Sequence, residues 1–162
     1  RTPQYDCSNA SRPSPPPSTT DSEPDRKVAA YPQRPDSLDN TTAIIEYVKQ
    51  YETAYRQNLL YEKYGDDLRG MGISVNEEWT HDSHPESAII RFRYAYSFEY
   101  ETQGETNVHG DSLGNYVSYH VDDSVVIRAA DDGEREDEST LDPDPLETGS
   151  PVECFPPDTY QK

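Results

Sequence analysis

Alternation of apolar and polar residues from Ile90 to Glu101, interrupted only by Ala95, is the strongest pattern in this chain. Because neighbouring side chains of a β-strand point to opposite faces, the alternation predicts a long strand with one buried face. Its apolar positions are Ile90, Phe92, Tyr94, Tyr96, Phe98 and Tyr100. Shorter patterns predict three more strands, around Ile73 to Trp79, Tyr116 to Val121 and Ser124 to Ala129, the last two joined by a tight turn at Asp122-Asp123.

A helical period precedes these strands. Apolar residues recur at spacings of 4, 3, 4 and 4 in the order Ile44, Val48, Tyr51, Tyr55 and Leu59, which is typical of a helix with one buried face. Asp39 or Asn40 can cap its start, and Gly65 follows Tyr64 at a C-cap position. The pattern therefore predicts one amphipathic helix between residues 40 and 64.

One helix followed by four strands with short links predicts an α+β domain, in which the N-terminal helix packs on a four-stranded antiparallel sheet. In outline this is similar to the cystatin-like and nuclear-transport-factor-like architectures. Eight of the fourteen prolines lie in residues 1–36 and five lie after Asp142. The sequence thus predicts three regions: a Pro-rich extended arm at 1–37, the helix-plus-sheet domain at 38–130, and an acidic, Pro-containing arm at 131–162.

The chain is strongly acidic, with 32 Asp and Glu against 14 Lys and Arg and a net charge of −18. Leu, Ile, Val and Phe number only 25 of 162 residues, below the roughly 20% at which high charge signals disorder. Thirteen tyrosines compensate, because each offers a ring that can be buried. We expect a halophilic protein that attracts hydrated cations diffusely and repels nucleic acid.

The two cysteines, Cys7 and Cys154, lie one in each arm. An intrachain disulfide would hold both arms in one place, and free thiols or a bond between two chains are the alternatives. The sequons at Asn9 and Asn40 match the pattern for N-glycosylation, although Asn40 also serves as a helix cap. We therefore expect an oxidising compartment and a secreted or cell-surface protein. No apolar run of 18 residues is present, so no membrane span is predicted.

The segment from Asn40 to Asn58, together with Tyr116 to Ser124, resembles uncharacterised secreted proteins and lipoproteins of haloarchaea. The resemblance covers roughly residues 38–130. It implies a saline habitat and exposure at the cell surface. No activity is associated with that family, so the resemblance implies no mechanism.

Residue patterns that support catalysis are scarce. His81 and His84 are three residues apart beside carboxylates, a spacing that a metal can use, but the segment is better explained as a turn ending at Pro85. His109 lies in a predicted loop and His120 on a predicted strand. The chain has no Cys-His pair, nucleophile elbow or Gly-rich phosphate loop. We expect no enzymatic activity, no cofactor and no resident metal.

Two functions remain open. The first is a structural or interaction protein of the cell surface, such as a filament or coat subunit that associates with itself or with another surface protein through its arms. The second is a monomeric module that binds a small ligand or cation in a pocket between helix and sheet. Its lining would include Tyr47, Tyr51, Tyr94 and Tyr96, although such rings more often belong to the core.

Overall fold

A computed structural model describes residues 5–14, 29–84, 86–102, 105–131, 141 and 143–155. A helix of 24 residues, α1 (Thr41–Tyr64), is followed by a one-turn 3-10 helix at Gly65–Asp67. The strands are β1 (Leu68–His84), β2 (Ser87–Thr102), β3 (Glu105–Asp122), β4 (Val125–Asp131) and β5 (Ser150–Cys154). A second 3-10 turn at Cys7–Asn9 and a four-residue helix, α2 (Pro145–Thr148), complete the elements.

The five strands form one antiparallel sheet in the order β1-β2-β3-β4-β5. The prediction of an α+β domain with a four-stranded sheet was therefore wrong, because the described chain is mostly β and its fifth strand comes from the predicted C-terminal arm. In the observed register Val126 of β4 faces Glu153 of β5. The sheet thus continues past residue 130, where the sequence placed the end of the domain.

Strands β1 and β3 are also much longer than the sequence indicated. Residues 105 to 114, for which the sequence predicted no strand, form the first part of β3 and pair with β2. Gly110 faces Phe98 across this pair, and a Cβ at Gly110 would overlap the Phe98 ring. The glycine is needed for close packing of an aromatic ring on the backbone, which sequence patterns do not distinguish from a loop.

The predicted helix is confirmed, including both ends. The Asn40 side chain accepts a hydrogen bond from the backbone N–H of Ala43, and Gly65 ends α1 with φ of 56°. That left-handed conformation favours glycine. One face of α1 packs on the inner face of the sheet, and the main core contains Ile44, Tyr47, Val48, Tyr51, Ile90, Phe92, Tyr94, Val117, Tyr119, Val121 and Val126.

The outer face of the sheet is partly covered by the C-terminal segment. Helix α2 contacts β3 and β4, and its Pro145 is buried. Beside it, Arg91 is fully buried, with its guanidinium 4.5 Å from the Trp79 ring and 4.8 Å from the Tyr116 ring. Stacking on two aromatic faces stabilises the buried cation.

The described parts of both arms pack on the domain. Arg12 lies 4.0 Å from the centre of the Tyr31 ring and donates hydrogen bonds to Tyr51 and Glu153, both at 2.8 Å. The Ser11 N–H bonds to the Pro151 carbonyl of β5 at 3.1 Å. The predicted extended arms are therefore folded back where they are described; residues 1–4, 15–28, 132–140, 142 and 156–162 lie outside the described part.

Cys7 and Cys154 form a disulfide, with their Cα atoms 5.9 Å apart. The bond joins the N-terminal 3-10 turn to β5 across a sequence separation of 147 residues. It closes nearly the whole chain into a loop.

We expect the variant Cys7→Ser/Cys154→Ser to lose about 5 kcal/mol of unfolding free energy, because its unfolded chain regains the entropy of an open loop. Urea unfolding measures the loss, and the reduced native protein should match the variant. An unchanged urea midpoint would contradict this expectation.

Candidate functional site

A cavity of about 370 Å³ opens between α1 and the sheet, beside the end of β4. It lies where the sheet narrows, because pairing between β3 and β4 ends at Tyr116 and Asp131. Its lining is mostly polar and aromatic: Arg56, Tyr94, Tyr96, Ser112, Asn115, Tyr116, Ala130 and Asp131.

A β-bulge shapes this cavity. The β2–β3 register shifts between the pairs Tyr94–Asn115 and Tyr96–Ser112, so β3 carries one extra residue there. Gly114 within the bulge has φ of 67°. The buried Asn115 amide donates to the Ser112 hydroxyl at 2.8 Å and to the Tyr94 carbonyl at 3.3 Å, which fixes the bulged backbone.

Arg56 is the cation of the cavity. Its Nε and Nη2 atoms donate to the Tyr94 hydroxyl at 3.2 and 3.0 Å, and its guanidinium stacks 4.5 Å from the centre of the Tyr96 ring. Burial lowers the pKa of Arg56, but the neighbouring Tyr94 and the charge of Glu52 outweigh it and leave the pKa raised. The side chain is thus a fixed positive charge held in one orientation.

Glu52 lies beneath Arg56 with no exposed surface. Arg128 of β4 binds both of its oxygens, through Nε at 2.7 Å and Nη2 at 2.8 Å. The Tyr119 hydroxyl donates at 2.7 Å, and the Tyr94 hydroxyl donates to the other oxygen. One helix carboxylate therefore holds side chains from β2, β3 and β4 in place.

The pKa values follow from this arrangement. Burial alone would raise the pKa of Glu52, but Arg128 and the two tyrosine hydroxyls outweigh it and lower the pKa below its ordinary value. Burial, reinforced by the negative charge of Glu52, raises the pKa of Tyr94 and of Tyr119. At neutral pH the network therefore contains one carboxylate, two guanidiniums and two neutral phenols.

Two of the four tyrosines predicted to line a pocket, Tyr94 and Tyr96, line this cavity. Tyr47 and Tyr51 belong to the core, where their ring centroids are 5.7 Å apart. The sequence analysis missed Glu52, although it lies four residues after Val48 beside the apolar stripe of α1. A charged side chain next to the buried face of a helix is the feature of the sequence that could have indicated a buried ion pair.

The remaining candidate residues lie elsewhere. Asn9 and Asn40 are exposed, and Asn9 contacts Asp6. Half-exposed His109 lies between Glu99 and Asp111, at 3.5 and 3.2 Å, whereas buried His120 contacts Asp122 at 2.9 Å.

The prediction that His81 to His84 form a turn ending at Pro85 was wrong, because these residues form the end of β1; Pro85 lies outside the described residues. Burial and the nearby charge of Arg91 lower the pKa of His81. Among the described residues, no group of three His, Cys, Asp or Glu is arranged to hold a metal ion. No described helix is both long and apolar enough to cross a membrane.

We expect Glu52→Gln to cost about 3–5 kcal/mol of unfolding free energy, because Arg128 would stay buried without a counter-charge. The double variant Glu52→Gln/Arg128→Met removes both charges and should lose less than the two single variants together. Chemical denaturation measures all three. As a control, Arg69→Gln breaks a more exposed ion pair with Glu101 and should cost about 0–1 kcal/mol. If the double variant lost the sum of the two single losses of unfolding free energy, the coupling between Glu52 and Arg128 would be contradicted.

Stability should fall in alkali. Above the ordinary tyrosine pKa of about 10, unfolded tyrosines lose their protons while folded Tyr94 and Tyr119 keep theirs. The contribution of these tyrosines to the free energy of unfolding is therefore full below that pH. It decreases as the pH rises towards their pKa in the folded state. We expect Tyr119→Phe to make the slope of unfolding free energy shallower by up to about 1.4 kcal/mol per pH unit. Identical slopes for the two proteins would refute this.

No protein-family model, curated protein or solved structure matches this chain. The site is therefore interpreted from its geometry and chemistry.

Proposed function

We propose that this chain is a non-enzymatic extracellular module that binds a small organic acid in the Arg56 cavity. The observation that carries the proposal is the fixed, partly buried guanidinium of Arg56 in a cavity of about 370 Å³. Arg56 has two nitrogens bonded to Tyr94, and among the described residues its Nη1 has no hydrogen-bond partner. A guanidinium so held is suited to a carboxylate ligand.

The charges around the cavity narrow the ligand class. Both oxygens of Glu52 bind Arg128, and the hydrogen bonds of Arg56 within the described residues go to Tyr94, so Arg56 can still bind an incoming anion. The rest of the lining includes Ser112, Asn115 and Tyr96, which suit a polar ligand. The ligand would therefore carry a carboxylate and further polar groups, as a sugar acid or an amino acid does.

The hydrogen bonds of Glu52 support a binding role over catalysis. Its oxygens accept four hydrogen bonds from Arg128, Tyr94 and Tyr119, so the carboxylate is committed to holding the site together. A general base needs a lone pair that can reach the substrate. The binding proposal uses Glu52 only to orient Arg128 and Tyr94.

Several features support an extracellular location. The disulfide favours an oxidising compartment. The exposed Asn9 and Asn40 sequons and the resemblance to secreted haloarchaeal proteins are compatible with it. The high acidity suits a saline medium. Glycosylation at these two residues and halophilic growth are part of the proposal.

The filament or coat role stays a prediction. The structure weakens the argument for it from extended arms. That argument required arms that extend to neighbouring subunits, whereas Arg12 and Ser11 bind β5 and α1 of the same chain. Self-association through the described arm segments would have to break these contacts.

Isothermal titration with glutamate, glucuronate and gluconate tests the proposal, with glucose and glucitol, which carry no carboxylate, as neutral controls. We expect at least one acid to bind and the neutral compounds not to bind. Arg56→Gln should lower the affinity for that acid by about 10- to 100-fold, because a hydrogen bond to a charged group is lost. Arg69→Gln, a control that removes the same charge far from the cavity, should leave affinity unchanged.

Two results would overturn the proposal. Failure of all three acids to bind the native protein would contradict the proposed ligand class. Equal affinity of the native protein and Arg56→Gln for an acid would contradict the proposed binding site. The test uses the oxidised full chain, so the arms and the disulfide are in place.

A further inference from the structure

A row of aromatic side chains continues from the Arg56 cavity along the inner face of β2. Tyr94, Tyr96, Phe98 and Tyr100 occupy every second position of that strand, and their ring centroids follow one another at 6.3, 6.1 and 6.0 Å. Tyr94 is buried, whereas the other three side chains are partly exposed. The first and last of these residues are six positions apart, so this aromatic row is about 20 Å long.

The side of the aromatic row towards β3 is lined by small residues. Ser112 pairs with Tyr96 and Gly110 pairs with Phe98, so these residues share the inner face with the row. The Phe98 ring lies over Gly110, because a Cβ on that glycine would overlap the ring. The ring therefore reaches across to β3 beside Ser112, which lines the cavity. An apolar surface thus continues the lining of the cavity along the strand.

Two cations of α1 lie along the same row. The Arg56 guanidinium stacks 4.5 Å from the centre of the Tyr96 ring. Lys63 Nζ lies 5.3 Å from the centre of the Tyr64 ring, which stacks on Tyr100 with centroids 4.1 Å apart. Positions 56 and 63 lie on one side of α1, about 10.5 Å apart along its axis. Lys63 is exposed, and among the described residues no carboxylate pairs with it.

Rings and spaced cations together indicate a class of ligand. A sugar ring carries C–H groups on its faces and hydroxyl groups at its rim, so a face can pack on an aromatic surface while the hydroxyls bind polar groups such as Ser112 and Asn115. A carboxylate on the same sugar would bind a cation beside that surface. An extended chain of such sugars repeats both features at regular intervals. An acidic peptide supplies carboxylates, but its acidic side chains offer the rings no flat face.

We propose that the ligand is a linear polymer of uronic acid units, bound along the aromatic row. One carboxylate occupies the Arg56 cavity, sugar rings lie against Phe98 and Tyr100, and a later carboxylate meets Lys63. This inference rests on the proposed function, because it uses the same anion site at Arg56. The net charge of −18 repels an anionic polymer, and molar salt limits that repulsion to a screening length of about 3 Å.

The length of the polymer tests the proposal. Isothermal titration of the oxidised full chain in molar salt compares galacturonate with its linear dimer, tetramer and hexamer. We expect affinity to rise with length and to level off once the polymer is longer than the row of about 20 Å. The hexamer should bind at least about 30-fold more tightly than galacturonate, which exceeds the factor of about six that six equivalent units supply by themselves. Maltohexaose, which carries no carboxylate, is the neutral control and should not bind.

Two variants separate the aromatic row from the cavity. Lys63→Gln and Tyr100→Thr change the far end of the row, so the affinity for galacturonate should stay the same. We expect them to lower the affinity for the hexamer by about 3-fold and about 10-fold, respectively. Threonine suits a strand, and circular dichroism verifies that each variant is folded. The matched control Lys49→Gln removes the same charge from α1 at a residue paired with Glu78, and both affinities should stay the same.

The outcomes distinguish this inference from the proposed function. A hexamer that binds no more tightly than galacturonate, or that binds both variants as tightly as the native protein, would overturn the polymer and leave the small-acid site intact. Failure of every acid to bind, or binding that Arg56→Gln leaves unchanged, would instead overturn the site itself. Hexaglutamate tests the chemistry of the chain: if it bound as tightly as the uronate hexamer, the row would recognise charge alone and the sugar polymer would be contradicted.

Discussion

The ion pair between Glu52 and Arg128 joins α1 to β4. The Glu52 carboxylate has no contact with solvent. A charge can be buried there only because hydrogen bonds satisfy both of its oxygens. The donors come from three neighbouring strands, since Tyr94 and Tyr119 join Arg128 in binding the carboxylate. This contact fixes how α1 lies on the sheet, and through Tyr94 it also fixes Arg56.

Tyrosine replaces much of the aliphatic core that this chain lacks. Tyr51 contacts the rings of Tyr31, Tyr47 and Tyr119 at centroid distances of 4.9, 5.7 and 5.7 Å. Its hydroxyl meets Arg12 and Glu153, which belong to the two arms. A core built from tyrosines therefore has hydroxyl groups at its edge, and these can bind other segments of the chain. Aliphatic side chains offer no such hydrogen bonds. The folded-back arms follow from that property.

The net charge of −18 opposes close approach between copies of this protein at low ionic strength. The Arg56 cavity is an exception to this acidity, because a fixed cation lies there within an acidic chain. Lys63, at the far end of the aromatic row, is a second exception. Both exceptions are local, so the net charge gives no indication of either.

The sequence by itself determined the local structure: the bounds of α1 from Asn40 to Gly65, the alternating strand from Ile90, and two cysteines able to close the chain. These depend on short-range periodicity and capping, which a single chain segment specifies. Only the tertiary structure decided that residues 105–114 and 150–154 are strands, because their pairing depends on distant partners such as Phe98 and Val126. Likewise Glu52, Arg56 and Asn115 form a site only when helix and sheet meet, since hydrogen bonds between residues 38 and 76 positions apart leave no periodic trace in the sequence.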